Sequence, residues 1–279
     1  MDQTYNTDTT ASMVISSFVT RDSHEFPTDT PKSKTQATSL PWYLIISFLL
    51  LTMTLSPGMF YTVDFPQALS HHLILYFEIN NQQLLLNYTL YNFANLIATP
   101  ICAIVIPKIG ISNSLMILCF MTFVGQTLSL YSINIGSYDM FIVARIIYAI
   151  GAENLFVGWM GAIEMWFGGS LLSVASGINV SFGQLFGIVG NYIPAQQVHD
   201  NRNMQTAYFW GAVLCFLSSL GACIYAIMET LFKSKIPRVD IETGDKPRRT
   251  AGNLKDLLYM GKSFWGMCLI YCIVALMYF

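Results

Sequence analysis

The amino-acid sequence predicts an all-α polytopic membrane protein, and three observations predict it. Of 279 residues, 54% are hydrophobic and only 11% are charged, with a mean hydropathy of +0.50. A soluble domain carries roughly 25% charged residues, so this chain lacks the polar surface to stay in water. Apolar runs of about 20 residues, long enough to cross a bilayer as a helix, occur six times, and a seventh begins near residue 263. Lys and Arg are concentrated in alternate connections between those runs, the asymmetry that orients membrane helices.

Residues 1–41 are rich in Thr, Ser and Asp and contain no apolar run of more than a few residues. Such a composition cannot bury enough surface to fold alone, and it contains no cleavable signal sequence, so a disordered cytosolic tail is expected. The spans follow as Trp42–Val63, Gln83–Ile106, Ser112–Ser132, Tyr138–Glu164, Leu171–Ile193 and Thr206–Leu231, giving a six-helix transmembrane bundle over 42–231. Residues 232–262, with "KPRR" at their middle, read as a basic cytosolic linker, solvated rather than laid on anionic lipid. "GKSFWGMCLIYCIVALMYF" then starts a seventh helix at 263–279. With no polar flank after it, it reads as a truncated second transmembrane half; the alternative is a half-length protein that dimerises.

Charge sets the expected orientation. With a cytosolic amino terminus, the inner segments hold Arg21, Lys32, Lys34, Lys108, Lys233, Lys235, Arg238, Lys246, Arg248, Arg249, Lys255 and Lys262, twelve of the fourteen basic residues. Arg202 falls in an outer loop and Arg145 inside a span. The opposite topology would reverse the positive-inside bias.

The usual signatures of catalysis are missing. Cys102, Cys119, Cys215, Cys223, Cys268 and Cys272 all fall in expected spans, where they read as small packing residues rather than disulfides. Cys268 and Cys272 share a face, but two thiols do not make a metal site. His71 and His72 are adjacent in an expected outer loop, and His24 and His199 are isolated. No nucleotide fingerprint, phosphate loop or nucleophile elbow is present. The sequons at Asn87 and Asn179 lie in or at spans. No enzyme activity, cofactor, metal or nucleic-acid partner is therefore expected; the partners are a small solute and the bilayer.

What remains is polar residues inside spans. "MFYTVDFPQAL" places Tyr61, Asp64 and Pro66 at the outer mouth of the first. In "NYTLYNFAN", Tyr88, Tyr91, Asn92 and Asn95 follow i, i+3, i+4, i+7 spacing, one helical stripe. In "SGINVSFGQLFGIVG", Asn179, Gly183 and Gly187 lie in line, and Gly183-x-x-x-Gly187 permits close helix approach, with Ser181 and Gln184 as a second polar edge. Each residue alone reads first as an interhelical hydrogen bonder; together they suggest a hydrophilic cavity. "ARIIYAIGAENL" is sharper, because a charge at the bilayer centre costs about 2.5–3.5 kcal/mol or more. Arg145 and Glu153 sit about 12 Å apart along a helix and about 80° apart around it, so both can face one interior. The alternative is that they close an ion network with other helices.

Six spans, a basic linker and resumed spans resemble the major facilitator superfamily, whose halves are bundles of two inverted three-helix repeats. "YTVDFPQAL" (61–69), "ARIIYAIGAENL" (144–155) and "WFGGSLLSVASGINVSFGQLFG" (166–187) further resemble the amino-terminal half of its lysosomal dipeptide transporter branch, with its Tyr-x-x-Asp-x-Pro-x-Ala-Leu, its fourth-helix Arg and Glu, and its Trp-Phe before a Gly-containing fifth helix. The resemblance implies a carrier of short peptides or related small solutes working by alternating access, in a lysosome-like membrane, with a glycosylated single-span accessory partner. It implies solute binding by Arg145, Glu153, Gln184, Tyr61, Asp64 and Asn95. Two positions depart from the pattern. Gln184 stands where the branch has arginine, which weakens the expected grip on a carboxylate. In the gate loop between the second and third helices, Pro107 stands at the acid's position, with Lys108 and Gly110 retained, which weakens the expected latch. The second functional reading is a degenerate carrier kept as a structural subunit of a membrane complex.

Overall fold

The computed structural model describes residues 42–167, 170–201 and 204–232, together with 265, 266, 269 and 270. Among the described residues all regular structure is helical. The helices are α1 (Trp42–Met53), α2 (Pro57–Thr62), α3 (Phe65–Ala68), α4 (Ser70–Phe77), α5 (Asn81–Ile109), α6 (Ile111–Ile135), α7 (Tyr138–Trp166), α8 (Ser170–Asn201) and α9 (Met204–Phe232). Six helical stretches are long and apolar enough to cross a membrane, the first being Trp42–Ala68, which combines α1, α2 and α3. At 1.5 Å per residue the 29-residue helices are about 43 Å long, enough to cross a ~30 Å hydrocarbon core with turns to spare.

The first span is not one continuous helix, and its prolines explain why. Pro57 has no N–H, so the carbonyl of Met53 loses its i+4 donor; the Ser56 hydroxyl donates to it at 3.1 Å. The Gly58 N–H is turned to Ser218 Oγ on α9 at 3.1 Å, and Trp159 Nε1 on α7 donates to the Thr52 carbonyl at 2.9 Å. Three backbone groups at the break, the Met53 and Thr52 carbonyls and the Gly58 N–H, thus find a side chain, which a low-dielectric interior favours.

Local signals set the other ends. Asn80 and Gln83 form a reciprocal capping box at the start of α5, which satisfies two orphan N–H groups. Gly110, at φ +95°, is the single residue joining α5 to α6, and Gly136, at φ +68°, ends α6. Both conformations favour glycine.

α6 and α7 make the most extensive contact in the bundle. A β-carbon on Gly125 would lie 2.5 Å from the Tyr148 backbone nitrogen, and one on Gly151 would lie 2.7 Å from that of Thr122; only glycine lets these two backbones approach so closely. α9 packs on α6 and α2, α5 on α7, and α8 on α2. One apolar cluster gathers Phe48, Trp159, Trp166 and Tyr225, with the Phe48 and Trp166 rings stacked at 3.4 Å. A second gathers Phe65, Leu69, Phe141 and Tyr208. α5 and α8 are the least covered, with 11% and 17% of their spanning windows buried against 39–50% for the other four. The described bundle thus leaves those two helices open to whatever surrounds it.

Three expectations need correction. The first span continues in pieces past Val63 to Ala68, and α4 then takes in His71 and His72, which are helical rather than in a loop. Pro107 and Lys108 do not lie in a loop either. They belong to the last turn of α5, and the connection shrinks to Gly110, whose N–H donates to the Ile106 carbonyl at 3.0 Å. Proline is tolerated inside membrane helices because neighbours satisfy the freed carbonyl, so it was the φ of glycine rather than the proline that ended this one. The expectations for the tail 1–41, the linker 233–262, Arg202, Cys268 and Cys272 lie outside the described residues. So does most of the seventh run, of which residues 265, 266, 269 and 270 are helical.

Candidate functional site

α7 carries both candidate charges but presents them differently. Its core face runs Phe141, Arg145, Tyr148, Ala152, Leu155 and Trp159, spaced by three or four residues, and all six are buried. Arg145 belongs to that stripe and is 3% exposed. Its Nη1 donates to the Thr62 carbonyl at 3.3 Å and its Nη2 to the Val63 carbonyl at 2.9 Å. The guanidinium also lies 4.7 Å from the Tyr148 ring centre and 5.2 Å from that of Tyr91, both within cation–π range. Arg145 Nε is buried without a partner. Among the described residues no carboxylate pairs with this cation. Tyr148 completes the grip, donating to the Met59 carbonyl at 2.9 Å and accepting from Thr62 Oγ1 at 2.7 Å.

Glu153, offset around the helix, lies on its exposed side. The expected sharing of one interior is therefore indirect. Tyr91 of α5 makes the link: its hydroxyl donates to Glu153 Oε1 at 2.9 Å while its ring faces Arg145. A cation, a ring and a carboxylate follow one another across two helices.

The other candidates divide. Tyr88 and Asn95 are half-buried on the same stripe of α5 as Tyr91, with Asn95 Oδ1 buried and unpaired, whereas Asn92 lies at the exposed edge. Asp64 is half-buried, accepts from Asn191 Nδ2 of α8 at 3.4 Å, and is near enough for its field to reach Tyr88 and Tyr91. Tyr61 is buried, edge-on to Phe65 with ring centres 5.2 Å apart, and serves packing. Gln184 is exposed on α8 and makes no hydrogen bond to Arg145 or Glu153. At the opposite end of the bundle from Asp64, Pro107 lines a cavity of about 500 Å³ with Ile106, Ile111, Phe156, Gly161 and Glu164. Lys108 is exposed in the last turn of α5, where a cation suits the helix dipole. Among the described residues no group of three or more His, Cys, Asp or Glu could hold a metal ion.

Sequence reasoning passed over Tyr148, Trp159 and Thr62, the residues that fasten α7 to the first span. The available signal was Pro57 and Pro66, each of which removes a donor and so calls for a side chain from elsewhere.

The sequence model of the Major Facilitator Superfamily matches residues 37–279. The chain belongs to the Major Facilitator Superfamily. It is thus an integral membrane transport protein, and its six spans are the helical bundle of a superfamily member. The superfamily's proteins are transporters rather than enzymes as a rule. No curated protein and no solved structure matches the chain. In this superfamily member the polar strip Arg145–Tyr91–Glu153 bridges α7 to the sparsely covered α5.

Proposed function

We propose that this superfamily member carries short zwitterionic peptides, dipeptides above all, by alternating access. The observation that carries the reading is the Tyr91 bridge, which joins a buried cation to an exposed carboxylate. Arginine suits a solute carboxylate through its planar fork, and Glu153 suits an ammonium group. An extended dipeptide spans about 7 Å, and the long side chains of Arg145 and Glu153 make up the rest of their ~12 Å axial separation. Asp64, Asn95 and Gln184 would contact the peptide's polar remainder. The resemblance of residues 61–69, 144–155 and 166–187 to the dipeptide branch supports the same substrate class. With it come a lysosome-like membrane and a glycosylated single-span partner, while the positive-inside bias supports a cytosolic amino terminus.

The test is counterflow into liposomes containing the purified full chain. A zwitterionic dipeptide should exchange, and the same dipeptide acetylated at its amine and amidated at its carboxylate should not. Equal exchange of both, or exchange of neither by folded protein, rejects the reading. One observation favours the second reading, a structural subunit: the Arg145 guanidinium already has two backbone acceptors. On that reading counterflow is absent for every solute, and removing Arg145 affects only folding.

A further inference from the structure

We propose that Arg145 is a latch on the far end of the first span, and that a solute carboxylate opens it. The reason for the latch is visible in the backbone. Pro66 has no N–H, so the Thr62 carbonyl, four residues earlier, has no helical donor. The Gln67 N–H, which would serve the Val63 carbonyl in a helix, instead bonds the Asp64 carbonyl at 3.0 Å. Those two orphaned carbonyls are the pair that Arg145 takes. Pro66 in one motif and Arg145 in another are thus two parts of one device.

The segment so held is a distinct piece of the first span, packed also on α8 and α9. The Thr54–Ser56 break uncouples it from α1, and α2 and α3 are short helices of six and four residues. Its hydrogen bonds to α7 run through Arg145 and Tyr148, beside the packing of the Phe60 ring on Phe156 and Trp159. The cation is met by neutral acceptors and two rings, and its buried Nε has no partner. A carboxylate is a stronger acceptor than an amide carbonyl, because a hydrogen bond between ionised groups is about twice as strong. A carboxylate that reaches Arg145 therefore displaces the Thr62 and Val63 carbonyls and loosens this end of the segment on α7, where Tyr148 and the Phe60 ring still hold α2. Occupancy of the site and the position of this end of the first span become one equilibrium. The release step rests on the proposed peptide reading, whereas the latch does not.

Hydrogen exchange over residues 57–77 of the full chain in lipid nanodiscs tests both. Arg145→Gln should raise exchange of this segment roughly ten-fold or more without any solute, since two charged hydrogen bonds are lost. Pro66→Ala restores a donor to the Thr62 carbonyl, so in that background Arg145→Gln should raise exchange less. Unchanged exchange in Arg145→Gln overturns the latch. If Arg145→Gln does not fold, Pro66→Ala with Arg145→Gln must recover folding, and failure to do so overturns it equally. For the release step, leucyl-alanine should raise exchange of 57–69 in the wild type, and leucyl-alanine amide, which lacks the carboxylate, should not. Bound dipeptide without a rise overturns the release step while leaving the latch. Absence of any dipeptide binding to the wild type overturns the peptide reading and the release step together, and the Arg145→Gln comparison still decides the latch.

Discussion

At the scale of single residues, the two charges of α7 were legible but their partners were not. Arg and Glu amid Ile, Ala and Gly are conspicuous in a span because burying a charge is costly. Spacing along one helix says nothing of the helix opposite, so Tyr91 emerged as a bridge only when α5 was packed on α7. Trp159 was likewise invisible until its indole met the carbonyl at the helix break. Trp159→Phe keeps the ring and removes the donor. The Leu55 N–H still reaches the same carbonyl at 3.3 Å, so the expected loss is about 1 kcal/mol, read as a lowered thermal midpoint in detergent with the fold retained; an unchanged midpoint would show that the break needs no such support. Gln184 is exposed and unengaged, so Gln184→Arg should fold normally. If the position faces the solute, it should tighten dipeptide binding about ten-fold, one charge-assisted hydrogen bond being worth roughly 1.5–3 kcal/mol. Isothermal titration against wild type checks this, and equal affinities would take Gln184 out of the site.

At the scale of elements, apolar run length found all six spans, while their ends and breaks followed backbone chemistry that run length does not encode. Pro107 was expected in the gate loop after the second span and instead lies inside α5, because Gly110 does the ending. Gly183-x-x-x-Gly187 was expected to mark close approach, and half of it does: a β-carbon on Gly183 would strike the Phe60 ring and one on Gly190 the Tyr61 backbone, but Gly187 has room. The close joint of Gly125 and Gly151 between α6 and α7 was not singled out, since one glycine among many carries no mark of which backbone it will meet. Gly125→Val should therefore be severe. Its β-carbon would lie within 2.7 Å of three atoms of Tyr148, and overpacking of this kind costs about 1–3 kcal/mol or more, visible as loss of monodisperse protein in size-exclusion chromatography. Gly110→Ala meets open space but keeps φ at +95°, so only the backbone penalty applies, about 1–3 kcal/mol. A larger loss for Gly110→Ala than for Gly125→Val would reverse this ranking.

At the scale of the whole molecule, composition alone pointed to a membrane protein, and the superfamily match over residues 37–279 agrees with the six apolar helices. The functional claim is narrower: the strip from Arg145 through Tyr91 to Glu153 receives the solute. Its two charges differ in a way that a measurement can use. Arg145 is buried and fastened to the first span, so changing it disturbs structure and solute handling together. Glu153 is exposed and bonded to Tyr91, so changing it should leave stability within about 0.5 kcal/mol, as for other surface positions. The most direct measurement is therefore dipeptide uptake by proteoliposomes bearing Glu153→Gln, alongside its thermal unfolding. A near-native unfolding midpoint with uptake collapsed, most severely for dipeptides with lysine, arginine or histidine side chains, is the predicted result. A folded Glu153→Gln protein that takes up dipeptides as fast as the wild type would contradict it.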